Sequence, residues 1–287
     1  LKGKLKWKYK SEVGIEAHLA VVDNMVIAGS LDGTVYSLDY KSGKLIWKYQ
    51  TEGQINGSVN YFIKGNLKTI LVPSYDFFLH GLEAKTGKLL WKYETENYLN
   101  GAPAINKSYA VFGGCDAKLH IVNPSNGKSS GIVETDTYIP ESIALQSNCA
   151  YGGNYNGLFF CIDLLQKKMV WKFNTPSKLP FMSSPAVAGG KVVIGNHDKK
   201  VYCFDAKTGS VLWTFQTQGK IESSPVIARQ KVIICSTDGM VRLLSLEDGK
   251  SIASYEIGVS VSSSPAVVDY TIIVGAENGT LYAIGAK

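Results

Sequence analysis

A repeat of 40 to 44 residues runs through this chain of 287 residues and limits its fold more than any other feature. Tryptophan marks the repeat, and the intervals between successive Trp residues are 40, 44, 80 and 42. The interval of 80 covers two repeats, with Gly131 in the missing position, and a further step of 40 after the last Trp reaches Ala253. Five of seven equivalent positions therefore keep the indole: Trp7, Trp47, Trp91, Trp171 and Trp213.

An acidic or amide residue forms a second, independent series, at intervals of 44, 40, 40, 42, 40 and 40 residues. Gly follows it in four repeats, and Asp-Gly and Asn-Gly predict tight hairpins because both turn residues tolerate positive φ. Ser-Ser-Pro is a third marker and ends at Pro185, Pro225 and Pro265. The acidic or amide series consists of Asp32, Asp76, Asp116, Asn156, Asp198, Asp238 and Asn278.

Short runs rich in β-branched and aromatic residues lie between these markers, about four in each repeat, and no segment keeps a 3.6-residue apolar period. Four antiparallel strands in a repeat of this length are typical of one propeller blade. The sequence thus predicts an all-β fold, a seven-bladed β-propeller of four-stranded blades in a single domain over residues 1–287. The last repeat supplies only three strands, and residues 4–10 resemble a fourth. We therefore expect the N-terminal strand to complete blade 7, formed by about 258–287 plus 1–10.

Composition and charge exclude several classes of protein. The formal net charge is +6, but only Arg229 and Arg242 are Arg among 30 basic residues, which disfavours nucleic-acid binding because base and phosphate recognition relies on Arg. No apolar run approaches the roughly 20 residues of a membrane helix, so no transmembrane segment is expected. The five Cys show no Cys-x-x-Cys spacing and lie in apolar runs, which predicts unpaired core residues and no zinc site.

Two repeats contain the fullest motif: Asp205-Ala-Lys-Thr-Gly209 precedes Trp213, and Glu83-Ala-Lys-Thr-Gly87 precedes Trp91. This spelling, after a Val/Leu-Tyr strand, resembles the PQQ-like (quinoprotein-type) propeller repeat, and the resemblance covers the whole chain. The family includes PQQ-dependent alcohol dehydrogenases, the propeller lipoprotein of the outer-membrane assembly machine, and propellers fused to adenylating enzymes or kinases. The resemblance implies the fold but leaves the function open among these classes.

The dehydrogenase branch of that family carries a vicinal Cys pair, a Ca²⁺ held by Glu, Asn and Asp, and long insertions. This chain has no adjacent Cys, and no repeat is more than four residues longer than the shortest. We therefore expect a protein that is not an enzyme, holds no cofactor, and acts as a protein–protein interaction scaffold, alone or as a module of a larger protein. The alternative is a quinoprotein-like oxidoreductase domain that binds PQQ with Ca²⁺ or another small ligand.

Most residues that recur in the repeats have a structural interpretation. The Trp residues are expected to pack between blades, with Leu45, Trp47 and Tyr49 sharing one face of a strand. Lys residues on the outer strands are expected to block edge-to-edge pairing. His80 and His120 share a register position and are expected to lie beside aromatic neighbours rather than to bind a metal.

The loops that enter the first strand of each blade are the best candidates for a binding face, because loops on a rigid scaffold carry function. We expect them on the face opposite the Asp/Asn hairpins, around an apolar ring formed by Ile15 and its equivalents. Exposed aromatics within a polar surround are the composition of an interface hot spot. The candidate partner or ligand residues are Glu16, His18, Asn56, Tyr98, Asn100, Tyr138, Glu141, Phe181 and Glu222.

We therefore expect a monomer that binds a protein partner. The compartment is less constrained by the sequence. Unpaired Cys favour a reducing, cytoplasmic environment, whereas the resemblance and the non-Met first residue favour an exported chain in the periplasm or at the cell surface. We prefer the extracytoplasmic alternative.

Overall fold

The computed structural model describes residues 4–285, and every regular element in that range is a β-strand. None of the residues described forms a helix that could cross a membrane. The chain divides into two compact units, Leu1–Ile139 and Pro140–Lys287.

The first unit contains three sheets, each an antiparallel meander in which consecutive strands pair. The first sheet consists of β1 (Ala20–Val22), β2 (Met25–Gly29), β3 (Thr34–Asp39) and β4 (Leu45–Gln50). The second consists of β5 (Asn60–Lys64), β6 (Leu67–Pro73), β7 (Phe78–Glu83) and β8 (Leu89–Glu94). The third consists of β9 (Ala104–Ile105), β10 (Ala110–Gly113), β11 (Lys118–Val122) and β12 (Ser129–Glu134).

The second unit contains four sheets of the same kind. The fourth sheet consists of β13 (Ala144–Gln146), β14 (Cys149–Gly153), β15 (Leu158–Asp163) and β16 (Lys168–Asn174). The fifth consists of β17 (Ala186–Ala188), β18 (Lys191–Gly195), β19 (Lys200–Asp205) and β20 (Val211–Gln216). The sixth consists of β21 (Val226–Ala228), β22 (Lys231–Cys235), β23 (Met240–Ser245) and β24 (Ser251–Glu256). The seventh consists of β25 (Ala266–Val268), β26 (Thr271–Gly275) and β27 (Leu281–Gly285).

Seven sheets, one for each predicted blade, confirm the all-β class and the four-strand interpretation of the repeat. The seventh sheet has three strands, and residues 4–10 belong to no strand. Completion of blade 7 by residues 1–10 therefore stays a prediction, as does the single domain over 1–287.

The Trp residues, which are present in five of the seven repeats, pack against the following sheet, as predicted. The Trp47 indole lies so close to Gly87 that a Cβ there would approach it to 2.5 Å, and the indole N–H donates to the Ala84 carbonyl at 2.9 Å. Gly87 also has a φ of 72°, which favours glycine. The Gly of this turn thus packs directly against the indole of the preceding repeat. Trp213 makes the same contacts with Gly249 and the Leu246 carbonyl.

Ser-Ser-Pro joins consecutive sheets of the second unit. The first Ser bonds within its own sheet, as when Ser183 Oγ donates to the Gly195 carbonyl at 3.0 Å. The second Ser accepts a hydrogen bond from the preceding sheet, since Ser184 N–H donates to Ser224 Oγ at 2.9 Å and Ser224 N–H donates to Ser264 Oγ at 3.0 Å. Serines that lie 40 residues apart in the sequence are therefore hydrogen-bonded to one another between consecutive sheets.

Candidate functional site

The order of the strands determines which turns lie at the same end of a sheet. It contradicts the prediction that the binding loops lie on the face opposite the Asp/Asn hairpins. In a four-strand antiparallel meander, the turn between strands two and three lies at the same end as the exit from strand four. Thr51 N–H donates to the Gly33 carbonyl at 2.9 Å, and Tyr75 N–H donates to the Gln54 carbonyl at 2.9 Å. The Asp/Asn turns and the connecting loops therefore lie together, not on opposite faces. We call this the loop end of the sheets.

Buried polar residues fix the loops at this end. His80 Nε2 lies 3.0 Å from Asp76 Oδ2, and Tyr49 Oη lies 3.1 Å from His80 Nδ1. Asp76 also accepts the Glu52 N–H from the loop at 3.1 Å. Burial alone would raise the pKa of Asp76, but the hydrogen bond and charge of His80 outweigh it and lower this pKa to about 2.

In two other repeats, the carboxylate equivalent to that of Asp76 bonds either to a His or to an Arg. His120 and Tyr93 repeat the arrangement around Asp116, whereas Arg242 forms a bidentate pair with Asp238 at 2.7 and 3.0 Å. His80 and His120 thus lie beside aromatic residues, as predicted, in hydrogen-bonded positions of the core.

Three aromatic side chains form a patch at the loop end of the first unit, and we call Tyr75, Phe77 and Tyr98 the aromatic patch. The Tyr98 ring centre lies 4.7 Å from that of Tyr75 and 5.2 Å from that of Phe77. Tyr98 is 43% exposed and Phe77 is 39% exposed. The Tyr98 carbonyl accepts the Cys115 N–H at 2.8 Å, so the loop that carries this residue is fixed to the third sheet. Tyr98 is therefore an exposed aromatic residue on a fixed backbone.

Phe77 occupies a backbone position that favours glycine. It follows the Asp of the turn and has a φ of 73°, while Gly33, Gly157 and Gly239 have values of 81°, 75° and 78° at the equivalent positions. A bulky residue in this region is strained, and such strain concentrates at functional sites. The strain here presents an aromatic ring beside Tyr98.

Two predicted amide residues lie in the same unit. Asn56 and Asn100 are half-buried, and the Oδ1 atom of each has no hydrogen-bond partner among the described residues. Asn100 donates from Nδ2 to Cys115 Sγ at 3.1 Å. Both oxygens are themselves buried, so each is an unsatisfied acceptor that a docking partner cannot reach.

The other predicted residues of the first unit occupy less distinctive positions. Glu16 is exposed, and Tyr138 is half-buried. His18 is exposed, but its Nδ1 lies 3.0 Å from Ser58 Oγ, and its N–H donates to the same oxygen at 2.9 Å. Ile15, predicted for the apolar ring, is 39% exposed, whereas its equivalents Ile55 and Leu99 are fully buried.

Phe181 cannot reach a partner, and its prediction as a binding residue is wrong. Its side chain is fully buried, with ring centres 5.6 Å from Phe159 and 6.3 Å from Tyr202. It belongs to the apolar ring, because in this repeat the ring position is filled by an aromatic residue.

Two predicted acidic residues lie near each other in the second unit. Burial raises the pKa of Glu141 to about 7, and the charge of Glu222 adds to the effect, against a hydrogen bond that Ser184 donates at 3.5 Å. His197 Nε2 lies 3.3 Å from Glu222 Oε1, close enough for an ion pair when the imidazole is protonated. Burial also lowers the pKa of His197, although Glu222 opposes this shift.

Sequence reasoning missed Tyr75, Phe77 and His197. Each lies within the Asp/Asn turn or beside it, and these turns had been assigned to the opposite face. The signal was available in the sequence, because Phe77 stands where four repeats have Gly.

A Ca²⁺ site suitable for PQQ needs several acidic or amide ligands around one point. Among residues 4–285, no three His, Cys, Asp or Glu side chains converge in a way that could hold a metal ion. All five Cys are free, and none pairs with another. Among the described residues, neither an acidic cluster for the Ca²⁺ nor a Cys–Cys pair is therefore present.

Meanders of this kind, repeated seven times and joined by Trp–Gly contacts, define a β-propeller built from PQQ-like repeats. The chain belongs to the family of the outer membrane protein assembly factor BamB, whose model matches residues 1–172 and 156–287.

Solved structures support the fold. The crystal structure of BamB from Moraxella catarrhalis matches with a TM-score of 0.81 and 18% identity, over 98% of this chain and 86% of that one. The computationally designed Ika8 protein matches with a TM-score of 0.71 and 18% identity, over 96% of this chain and 97% of that one.

Curated relatives match over shorter segments. BamB of Yersinia pestis is 26% identical over 135 residues, which are 44% of this chain and 33% of that protein. The beta-alanine-activating enzyme of Danio rerio is 46% identical over 48 residues, which are 17% of this chain and 4% of that enzyme. The matched segments thus span a third or less of either relative.

Proposed function

We propose that this chain is a non-catalytic interaction scaffold of the outer-membrane protein assembly type, which docks a protein partner on the aromatic patch. The aromatic patch carries the proposal. Two neighbouring aromatic side chains are each about two-fifths exposed, and one of them is held in a strained turn. Exposed aromatics on a fixed backbone are typical hot-spot residues, because they bury a large area with little loss of side-chain entropy.

The polar surround fits the same role. Lys118 pairs with Glu96, an exposed carboxylate in the loop that carries Tyr98. Such a surround around aromatic anchors resembles the rim of a transient interface. Membership of the assembly-factor family supports a protein partner and an extracytoplasmic location, both of which remain part of the proposal.

Site-specific photo-crosslinking tests this proposal in the host cell. A photoreactive phenylalanine analogue at position 98 of the full-length protein should give a discrete adduct with a protein partner. Ile46 provides the matched control, since it is an apolar residue of the same unit with 45% exposure on the outer strand. Equal adducts at positions 98 and 46, or none at 98, would contradict the proposal.

Titration with PQQ and Ca²⁺ tests the rival function. The proposal expects no saturable binding and no dye-linked alcohol oxidation. Stoichiometric binding accompanied by alcohol oxidation would establish the oxidoreductase alternative instead.

A further inference from the structure

The loops that leave the fourth strand of each sheet differ in charge between the two units. Five of these loops begin with a buried Thr, and the residue after it is exposed in every case. In the first unit that residue is acidic, as Glu52, Glu96 or Asp136, and in the second unit it is Pro176 or Gln218. The same loop position is therefore acidic in the first unit and uncharged in the second, although the chain as a whole has a formal net charge of +6.

Two residues further along the same loops, the units differ again. The first unit has Gln54, Tyr98 or Tyr138 at this position, whereas the second unit has the exposed residues Lys178 and Lys220. A positive charge in the second unit thus takes the place that an aromatic ring takes in the first. The loops of the first unit combine aromatic rings with carboxylates, and those of the second unit present Lys.

Glu52 lies beside the aromatic patch. Its N–H donates to Asp76 Oδ2 at 3.1 Å, in the turn that carries Tyr75 and Phe77. The next residue, Gly53, lies so close to this turn that a Cβ there would clash with the backbone of Asp76. The backbone of Glu52 is thus fixed against the turn, while its side chain is exposed.

The chain leaves negative charge at the edge of the aromatic patch. Among residues 4–285, no Lys or Arg side chain forms an ion pair with Glu52. Glu96 pairs with Lys118, but its side chain is still 74% exposed. Glu52 therefore keeps an unpaired charge that a partner's cation can reach.

Arginine is the side chain that suits aromatic rings and carboxylates together. Its guanidinium stacks on the face of an aromatic ring and forms two parallel hydrogen bonds with a carboxylate. The chain itself contains both contacts, because Arg229 lies 5.3 Å from the ring centre of Tyr270 and Arg242 forms its bidentate pair with Asp238. A basic partner segment therefore suits the aromatic patch beside Glu52 better than an acidic or a purely apolar one does.

We infer that the partner segment that docks on the aromatic patch is basic, with an Arg side chain over the ring of Tyr98 and a second Arg or Lys at Glu52. This inference rests on the proposed function and names the chemistry of the partner. The acidic loops attract such a segment from solution, and the attraction weakens as salt screens the charges.

Sequencing of the crosslinked segment tests the inference. The photoreactive phenylalanine analogue at position 98 of the full-length protein forms the adduct in the host cell, and tandem mass spectrometry identifies the partner's segment. This segment should carry more Arg and Lys than Asp and Glu around the crosslinked residue. An adduct with a neutral or acidic segment would overturn the inference and leave the proposed function standing, whereas the absence of an adduct would contradict both.

Charge reversal at Glu52 provides a second test in the protein that carries the analogue. Glu52→Lys should lower the yield of the adduct at least about five-fold, because like charges then meet. Glu256→Lys is the matched control, since Glu256 is an exposed carboxylate of the second unit and its reversal changes the net charge equally. Equal yields from the two variants would overturn the inference.

Circular dichroism shows whether both variants keep the wild-type fold. If Glu52→Lys does not fold, Glu52→Gln and Glu256→Gln replace the pair. Glu52→Gln should then lower the yield at least about two-fold relative to Glu256→Gln. Equal yields from these two variants would also overturn the inference.

Discussion

At the scale of single residues, three repeats show how different side chains satisfy the carboxylate of the Asp turn. Asp76 is partnered by His80, Asp198 by Tyr202 and Asp238 by Arg242. Burial alone would raise the pKa of Asp238, but hydrogen bonds from Arg242 and Ser236 outweigh it and lower this pKa strongly. The partner can vary because any hydrogen-bond donor of suitable length can meet the carboxylate.

Arg242→Ala should destabilise the protein by about 3 kcal/mol, because it leaves a largely buried carboxylate without its partner. Arg242→Tyr should lose much less stability, since Tyr202 already donates to the equivalent Asp198 one repeat earlier. Chemical denaturation of both variants measures the difference. Equal losses would show that the guanidinium acts through packing rather than through its bond to Asp238.

The raised pKa of Glu141 predicts that stability depends on pH in the direction opposite to that expected for a salt-bridged carboxylate, whose pKa is lowered. Its pKa rises from 4.5 to about 7 on folding, so the native state binds the proton more tightly than the unfolded state does. The free energy of unfolding should therefore fall as pH rises from about 4.5 to about 7, by at most about 3 kcal/mol. Denaturation at several pH values should show this fall.

Glu141→Gln should flatten the profile and make the protein more stable than the wild type at pH 8. Glu16→Gln is the control, because Glu16 is exposed. An unchanged slope in Glu141→Gln would assign the pH dependence to other groups.

At the scale of elements, the turn after Asp76 has a backbone conformation that favours glycine, yet it carries the partly exposed ring of Phe77. All seven equivalent turns place this residue at positive φ, and Phe77, Ala117 and Lys199 are the three that are not Gly. Retaining Phe at such a position has an energetic cost that packing in the core does not offset, because the ring is partly exposed.

Phe77→Gly should be more stable than Phe77→Ala by about 1 kcal/mol, since both variants lose the ring and only glycine relieves the strain. Thermal unfolding of the pair measures this difference. Lys48 offers a control in the exposed part of β4, where Ala should be better than Gly. A Phe77→Ala variant as stable as Phe77→Gly would show that the turn is not strained.

Much of the architecture could be predicted because the repeat appears in several independent markers. The number of sheets, the Trp contacts and the free Cys follow from periodicity and composition alone. A bulge between Ser37 and Leu38 could not be predicted, and it places Leu45 on the exposed side rather than beside Trp47. Its cause is a register shift between two strands, which alternation within one strand does not reveal.

The candidate site was only partly predictable, for a similar reason. Tyr98 could be identified because its loop differs from the other loops. Phe181 was misassigned because burial depends on the neighbouring sheet, where Tyr202 and Phe159 enclose it. Phe77 was missed because the turns had been placed at the wrong end of the meander.

At the scale of the whole molecule, the fold and the family agree on a propeller of PQQ-like repeats. The fold alone does not specify function, because the same architecture supports many roles. The functional argument therefore rests on the aromatic patch. Its exposed residues do not fill a core position that recurs in every repeat.

The affinity of the crosslinked partner for Tyr98→Ala, compared with Ile46→Ala, tests the central claim most directly. Calorimetry on the purified proteins should show a loss of about 30-fold or more for Tyr98→Ala, as expected for a hot-spot residue that contributes about 2 kcal/mol. Ile46→Ala should bind like the wild type, and both variants should keep the wild-type circular dichroism spectrum. A Tyr98→Ala variant that is folded and binds with unchanged affinity would contradict the account.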